Sequence, residues 1–275
     1  MSLFGYNNLG DAGTITNNSD GSNVLPATNV QTRQVGRVFR QTLSATSPLS
    51  DVTLDFDLAA AKSISYVGII GHNIPAGTYT VSLGSSSGGS QVYTTTGTLW
   101  QGVTDDQKQQ HVILPATYSA RYVRVVLKPT VAQTVDVGRI WIDNPWQPDV
   151  SIEFDHEVLD ESESTRSVGM AVHSYERPRV RVNRITFPKL TEQQALGDSA
   201  DSTVKNCHAM DITVGTHSPI ICIPVTTGQD DNTQVIHKFG IYGSIRRSTP
   251  IMAQAAKDSS GGWLYRKSFE VQEER

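Results

Sequence analysis

The sequence predicts a mainly β protein of two domains. Three observations lead there. Between Val52 and Ile142, short stretches place apolar residues at every second position, so that each strand has one buried and one wet face. The chain carries 22 glycines among many Ser, Thr and Asn residues, a turn-rich composition. At 275 residues it is long enough for about two hydrophobic cores.

Taken in order, residues 1–30 are polar and read as an N-terminal arm or capping loop. Residues 31–146 read as a jelly-roll β-sandwich. Within it, Val52–Leu58 sets Val52, Leu54, Phe56 and Leu58 against Thr53, Asp55 and Asp57. Thr78–Leu83 repeats the pattern with Tyr79, Val81 and Leu83. Ile64–Asn73, Ala120–Leu127 and Val137–Ile142 are apolar on both sides and suit central strands. Asn144–Pro148 breaks the pattern with two prolines and marks a domain boundary.

Residues 147–275 read as a second β-rich domain with one helix. Strands are predicted at Ser151–Val158, Ser167–Tyr175 and Pro178–Phe187. Thr191-Glu-Gln-Gln194 is a capping box, and the helix it opens is predicted over 191–210. Ser218–Pro224 and Val235–Ile245 read as strands. Ile251–Ala256 and Trp263–Val271 form a closing hairpin around the turn Asp258–Gly262.

Leu54–Leu58, Val67–Asn73 with its Gly-His-Asn end, Ala120-Arg-Tyr-Val-Arg124 and Gly138–Ile142 together resemble the galactose-binding-like jelly roll of the discoidin (coagulation factor 5/8 C-type) kind. The resemblance covers roughly residues 25–145, and the stapling cysteines of the extracellular versions are absent there. Ala59–Gly84 is similar to versions of this module in structural proteins of tailed bacteriophages, and the second half resembles the β-rich domain of phage tail-tip and baseplate-associated proteins. The fold hosts lectins, lipid binders and scaffolds, so it implies no single function.

Composition excludes several classes. The net charge of −4 gives no general attraction to nucleic acid, and no 18-residue apolar run exists to cross a membrane. Met1–Asn8 shows no signal-like region, so synthesis in a host cytoplasm is the expectation. Cys207 and Cys222 read as two buried free thiols, with a disulfide left open. No cofactor is expected and no metal ligand set is assigned; a structural calcium ion stays open. No nucleophile elbow, Walker loop, dinucleotide fingerprint or paired-histidine zinc motif occurs, and the chain is expected not to be an enzyme.

Two charged strips stand out. Residues 149–163 hold seven acids and no Lys or Arg, with Glu153, Asp155 and Glu157 on one strand face. Residues 176–189 hold Arg177, Arg179, Arg181, Arg184 and Lys189 against Glu176, a local balance of +4. Opposition of Glu153, Asp155 and Glu157 to Arg177, Arg179 and Arg181, between strands or between subunits, is the expected role. His72, Asn73, Trp100 and Trp146 are the candidate ligand-binding residues, because polar loop-tip groups and exposed rings can hold a sugar. The bland reading for each is local structure: turn satisfaction for His72 and Asn73, plugging for the tryptophans.

The first functional expectation is a virion component of a tailed phage (tail tip, baseplate or fibre-attachment protein). It would assemble with other tail proteins and with copies of itself in a ring or trimer, and its jelly roll could touch a host-surface glycan. The alternative is a soluble, lectin-like carbohydrate-binding protein. A carbohydrate-active enzyme would need a catalytic domain for which the second half is short.

Overall fold

In the computed structural model, the described residues are 2–19, 21–43, 51–100, 108–131, 133–160, 162–166, 172–197, 205–226, 233–258 and 261–274. The chain forms two compact units. One comprises Phe4–Trp146 and Gly228–Gly240; the other comprises Met1–Leu3, Gln147–Thr227 and Ile241–Glu274. No helix among the described residues is long and apolar enough to cross a membrane.

The first unit is the jelly roll. After β1 (Leu3–Gly5), which is not part of its sheet, its strands are β2 (Thr14–Asn17), β3 (Ser22–Leu25), β4 (Phe39–Thr42), β5 (Val52–His72), β6 (Gly77–Gly84), β7 (Tyr93–Thr98), β8 (Lys108–Pro129) and β9 (Thr134–Asp143). Their order is β3-β4-β9-β5-β8-β6-β7, with β2 also on β5. The stretches Val52–Leu58 and Ile64–Asn73, read separately from the sequence, belong to one 21-residue strand. The register of β5 on β8 jumps from Asp57↔Tyr122 to Lys62↔Ala120. Ala59 sits at that jump with φ 65°, and its N–H donates to Asp57 Oδ1 at 2.9 Å. This bulge bends both long strands, so each contributes to both layers. Val52–Asp57 pairs with β2 and with the end of β8 that carries β6 and β7. Tyr66–His72 lies between the start of β8 and β9, which carries β4 and β3. Leu54, Phe56, Val81, Val125, Ile69 and Ile140 are fully buried in one apolar cluster. Burial of this kind stabilises by roughly 25 cal/mol per Å² of apolar surface removed from water.

The polar segment 1–30 is not a free arm. Phe4 and Val30 are fully buried, and β2 pairs with β5. Asn8 caps the turn at Leu9–Ala12, donates to Ile140 O at 3.0 Å and accepts from Ile142 N–H at 2.8 Å. Arg139, almost wholly buried, donates to Asp11 Oδ2 at 2.7 Å. Polar residues are integral here because they satisfy buried backbone and a buried guanidinium.

The second unit holds β10 (Glu153–Leu159), β11 (Glu163–Arg166), β12 (Val172–Tyr175), β13 (Val180–Leu190), β14 (Pro219–Ile223), β15 (Ile241–Ser248), β16 (Met252–Lys257) and β17 (Trp263–Glu273). Its sheet runs β14-β15-β17-β13-β10, with β16 also on β17; β11 and β12 pair apart from it. Ile185, Phe187, Ile221, Ile241 and Val271 fill its core. At Gly243 on β15 an added Cβ would lie 2.1 Å from Gln272 O, so only glycine allows this close approach to β17.

Two sequence expectations change in form. The single helix over 191–210 is two short ones, Glu192–Leu196 and Cys207–Val214. The capping box at Thr191 and Gln194 is present, and Gly197 at φ 83° ends the first helix; residues 198–204 lie outside the described residues. The strand expected at Val235–Ile245 is the helix Thr233–Phe239 followed by β15. Of the strand expected at Ser167–Tyr175, Val172–Tyr175 is described.

Candidate functional site

His72 closes β5, and the close of the sandwich takes its side chain inward rather than to a loop tip. It is 4% exposed, and neither ring nitrogen has a hydrogen-bond partner among the described residues. Burial, with smaller contributions from Lys108 and His237, pushes its pKa down to about 3, so the ring is neutral near pH 7. Asn73 clips β5 to β9. Its side chain donates to Thr134 O at 3.0 Å and accepts from Asp136 N–H at 2.8 Å.

Trp100 is half-buried and stacks on His237 with ring centroids 5.3 Å apart. Its backbone N–H donates to Gln110 Oε1 at 2.7 Å. His237, on the helix Thr233–Phe239, also stacks on His111 at 5.6 Å, and His111 shares a 2.6 Å hydrogen bond with Tyr66. His237 Nδ1 accepts from His111 N–H at 3.3 Å, while its Nε2 lies 3.3 Å from the Gln110 amide nitrogen. A neutral imidazole has one acceptor lone pair, so it can serve one of these two donors. Trp146 is buried against Phe4, with centroids 5.8 Å apart and backbone hydrogen bonds both ways. His72, Asn73, Trp100 and Trp146 therefore occupy structural positions. The cluster of Trp100, His111 and His237 joins positions 111 and 237, a separation that no local motif spans.

The outward face of the jelly roll is built from cross-strand rows. Thr53, Val126, Thr80 and Thr96 form one row; Asp55, Arg124, Ser82 and Thr94 form the next. Thr80 and Thr96 hydroxyls bond at 3.0 Å, and Thr94 donates to Ser82 at 3.2 Å. Arg124 grips Asp55 through two bonds of 2.6 and 2.7 Å, and Arg121 grips Asp57 through two of 2.7 Å. The Arg121 fork holds the Asp57 carboxyl down at about 2. Sequence alone presents this face as poor in basic residues. The structure brings Arg121, Arg124 and Lys128 of β8 onto it, because β8 is the direct neighbour of β5. The Gly84–Gly89 loop folds back on Arg124, where a Cβ at Gly88 would lie 2.5 Å from its guanidinium.

The charged strips meet, but with other partners than the sequence suggests. Glu153, Asp155 and Glu157 lie on the exposed face of β10, opposite Thr186, Arg184 and Val182. Arg184 takes Glu157 and Glu270, each at 2.9 Å. Arg177 pairs with Glu163 at 2.8 Å and Arg179 with Asp160 at 3.5 Å. Arg181 turns inward to the buried Glu273, its Nε donating at 3.0 Å. Alternation explains the split: Arg181 and Arg184 are three residues apart on β13 and so point to opposite faces. Cys207 and Cys222 are free and buried; burial pushes Cys207 up to about 12 and Cys222 higher still. Among the described residues, no group of three or more His, Cys, Asp and Glu could hold a metal ion.

No family model matches the sequence, and no curated protein matches it. Among solved structures, half of the chain is similar to the lectin domain of lectinolysin complexed with Lewis b antigen (14% identity, 96% of that chain, TM-score 0.37). It is similar over the same share to chitosan-binding module 1 of a chitosanase/glucanase from Paenibacillus sp. IK-5 (15% identity, 99% of that chain, TM-score 0.37). A third is the family 32 carbohydrate-binding module from C. perfringens NanJ in complex with galactose (13% identity, 98% of that chain, TM-score 0.39).

Proposed function

We propose that the chain is a non-catalytic carbohydrate-binding protein, with the jelly roll as its neutral-glycan module. The supporting observation is the outward sheet face. Thr53, Thr80, Thr94 and Thr96 offer hydroxyls in register beside two fixed Arg–Asp forks. Hydroxyls both donate and accept, and the closed forks hold the strands that carry them in register, so the face suits a polyhydroxylated ligand. Its openness implies weak single contacts that gain strength from repeated copies. The test is titration of the purified chain with neutral oligosaccharides, compared with Thr80→Val/Thr96→Val. Binding that the double variant weakens at least fivefold supports the reading. Absence of binding to neutral oligosaccharides on a broad array sinks it.

A second reading, assembly as a structural subunit of a phage tail, is favoured by one observation. β11 and β12 form a two-stranded pair whose Glu163–Arg166 strand is exposed throughout, and Tyr175 is 68% exposed. An isolated two-stranded ribbon is marginal in water and gains stability when a neighbour covers it. Light scattering distinguishes the readings: a closed ring or trimer that dissociates on Tyr175→Asp supports assembly.

A further inference from the structure

The second unit carries a trough of about 790 Å³ across the exposed face of its sheet, lined in part by Asp155, Arg184, Arg246, Arg247 and Thr249. Four charged residues face one another across four strands: Asp155 on β10, Arg184 on β13, Glu270 on β17 and Arg247 on β15. Their signs alternate, yet the pairing does not close. Arg184 takes the Glu270 carboxylate at 2.9 Å, and Arg247 makes no ion pair among the described residues.

A bulge supplies the second free cation. β15 is in register with β17 at Ile245↔Val271 and again at Arg247↔Glu270, so two residues of β15 oppose one of β17. In a regular strand, Arg246 and Arg247 would point to opposite faces. With the extra residue the strict alternation is broken, and Arg246 and Arg247 both line the trough. Arg246 also has no ion pair among the described residues, and both arginines are exposed. The charges left without a counterpart are therefore two cations at one end and the Asp155 carboxylate at the other. Hydroxyls of Thr186, Ser248, Thr249 and Ser268 line the space between.

We infer that this trough binds an acidic saccharide, its carboxylate or sulfate on Arg246 and Arg247 and its hydroxyls toward Asp155 and the Thr and Ser side chains. Adjacent guanidiniums hold a planar carboxylate or a sulfate by paired, charge-assisted hydrogen bonds. A carboxylate beyond them accepts from sugar hydroxyls and repels a continuous polyanion. That combination favours one acidic group on a neutral polyol over a nucleic-acid backbone, which needs a basic stripe. The site lies in the other unit from the neutral-glycan face, and it extends the carbohydrate-binding reading to a second ligand class.

The test uses the full chain and the variant Arg246→Ala/Arg247→Ala, with 3′-sialyllactose, lactose, a sulfated lactose, inorganic sulfate and a 12-nucleotide single strand as titrants. Both side chains are exposed, so the variant should keep the parent's unfolding midpoint, and Arg246→Lys/Arg247→Lys serves as a charge-retaining control. The expected result is binding of sialyllactose or the sulfated lactose at least tenfold tighter than lactose and sulfate, lost in the alanine variant and partly kept in the lysine variant. Equal binding by parent and alanine variant, no binding of either acidic sugar, or tighter binding of the oligonucleotide or of sulfate alone would overturn the inference. Lactose binding that persists in the alanine variant leaves the jelly-roll reading intact; no neutral-sugar response in the parent, beside an acidic-sugar response that the alanine variant loses, sinks that reading alone.

Discussion

Replacing His72 with leucine tests whether the buried imidazole is a cost carried by the jelly roll. The residue is 4% exposed, neither ring nitrogen is hydrogen-bonded among the described residues, and its pKa falls from 6.5 to about 3. The direction fixes the sign. The unfolded chain binds a proton below about pH 6.5 that the folded chain refuses until about pH 3, so stability is complete above 6.5 and erodes as pH falls. Each unit of pH in that window is worth about 1.4 kcal/mol, so one and a half units, down to pH 5, cost ~2 kcal/mol. Leucine has a similar volume and no proton to bind. His72→Leu is therefore expected to match or exceed the parent at pH 7 and to be ~2 kcal/mol less sensitive to the step from pH 7 to 5. Three of the four tryptophans, Trp100, Trp141 and Trp146, lie in the first unit, so tryptophan fluorescence in urea reports mainly on that unit, and a Trp263→Phe background removes the contribution of the second. Parallel loss of stability in parent and variant between pH 7 and 5 would refute the reasoning.

Other expectations follow from the same geometry. Glu273→Ala leaves Arg181 buried without its partner and is expected to cost about 3–5 kcal/mol in urea unfolding, whereas Arg181→Met/Glu273→Leu recovers much of the loss. Gly243→Ala drives a methyl into Gln272 O and is expected to lower the melting temperature sharply; Gly36→Ala, with nothing within 4 Å of the added carbon, is expected to leave it within a degree or two. Cys207 and Cys222 are expected to ignore a chromogenic disulfide reagent at pH 8 until denaturant is added, since both thiols are buried and held protonated. Rapid labelling of either thiol in the native protein contradicts their placement.

The strands were legible in the sequence because their signal is local: a period of two over five to eight residues marks Val52–Leu58 or Trp263–Val271 without reference to anything distant. Val235–Phe239 misled because a short apolar run has no period of its own, and helix and strand then differ only in context. The polar N-terminal segment misled for another reason. Asn8 and Asp11 look like loop residues, yet they satisfy backbone and guanidinium groups far along the chain: Asn8 meets Ile140 and Ile142, and Asp11 meets Arg139 across 128 positions. The same distance problem hid Arg181–Glu273, 92 positions apart, and the His111–His237 contact, 126 apart. The bulge in β15 has no sequence mark at all, since it exists only in the register between two strands.

The two exposed sheet faces differ in how completely their charges are used, and that difference argues for different ligands. On the jelly roll, Arg121 and Arg124 are each consumed by an aspartate fork, which leaves hydroxyls as the available groups. On the second unit, one bulge adds one residue to β15, and the alternating row can no longer neutralise itself. Exposed ion pairs contribute little stability, so the unmatched guanidiniums cost the fold little. They do change recognition. A neutral polyol meets the first face through hydrogen bonds that salt barely alters, whereas an acidic sugar on Arg246 and Arg247 is attracted through a field that falls off over about 8 Å at physiological ionic strength. Raising salt to about 1 M, where that distance shrinks to roughly 3 Å, should therefore weaken acidic-sugar binding several-fold and leave the neutral response nearly flat. Equal salt sensitivity of the two responses would mean that one face serves both ligands, and the bulge would then be only a twist in the sheet.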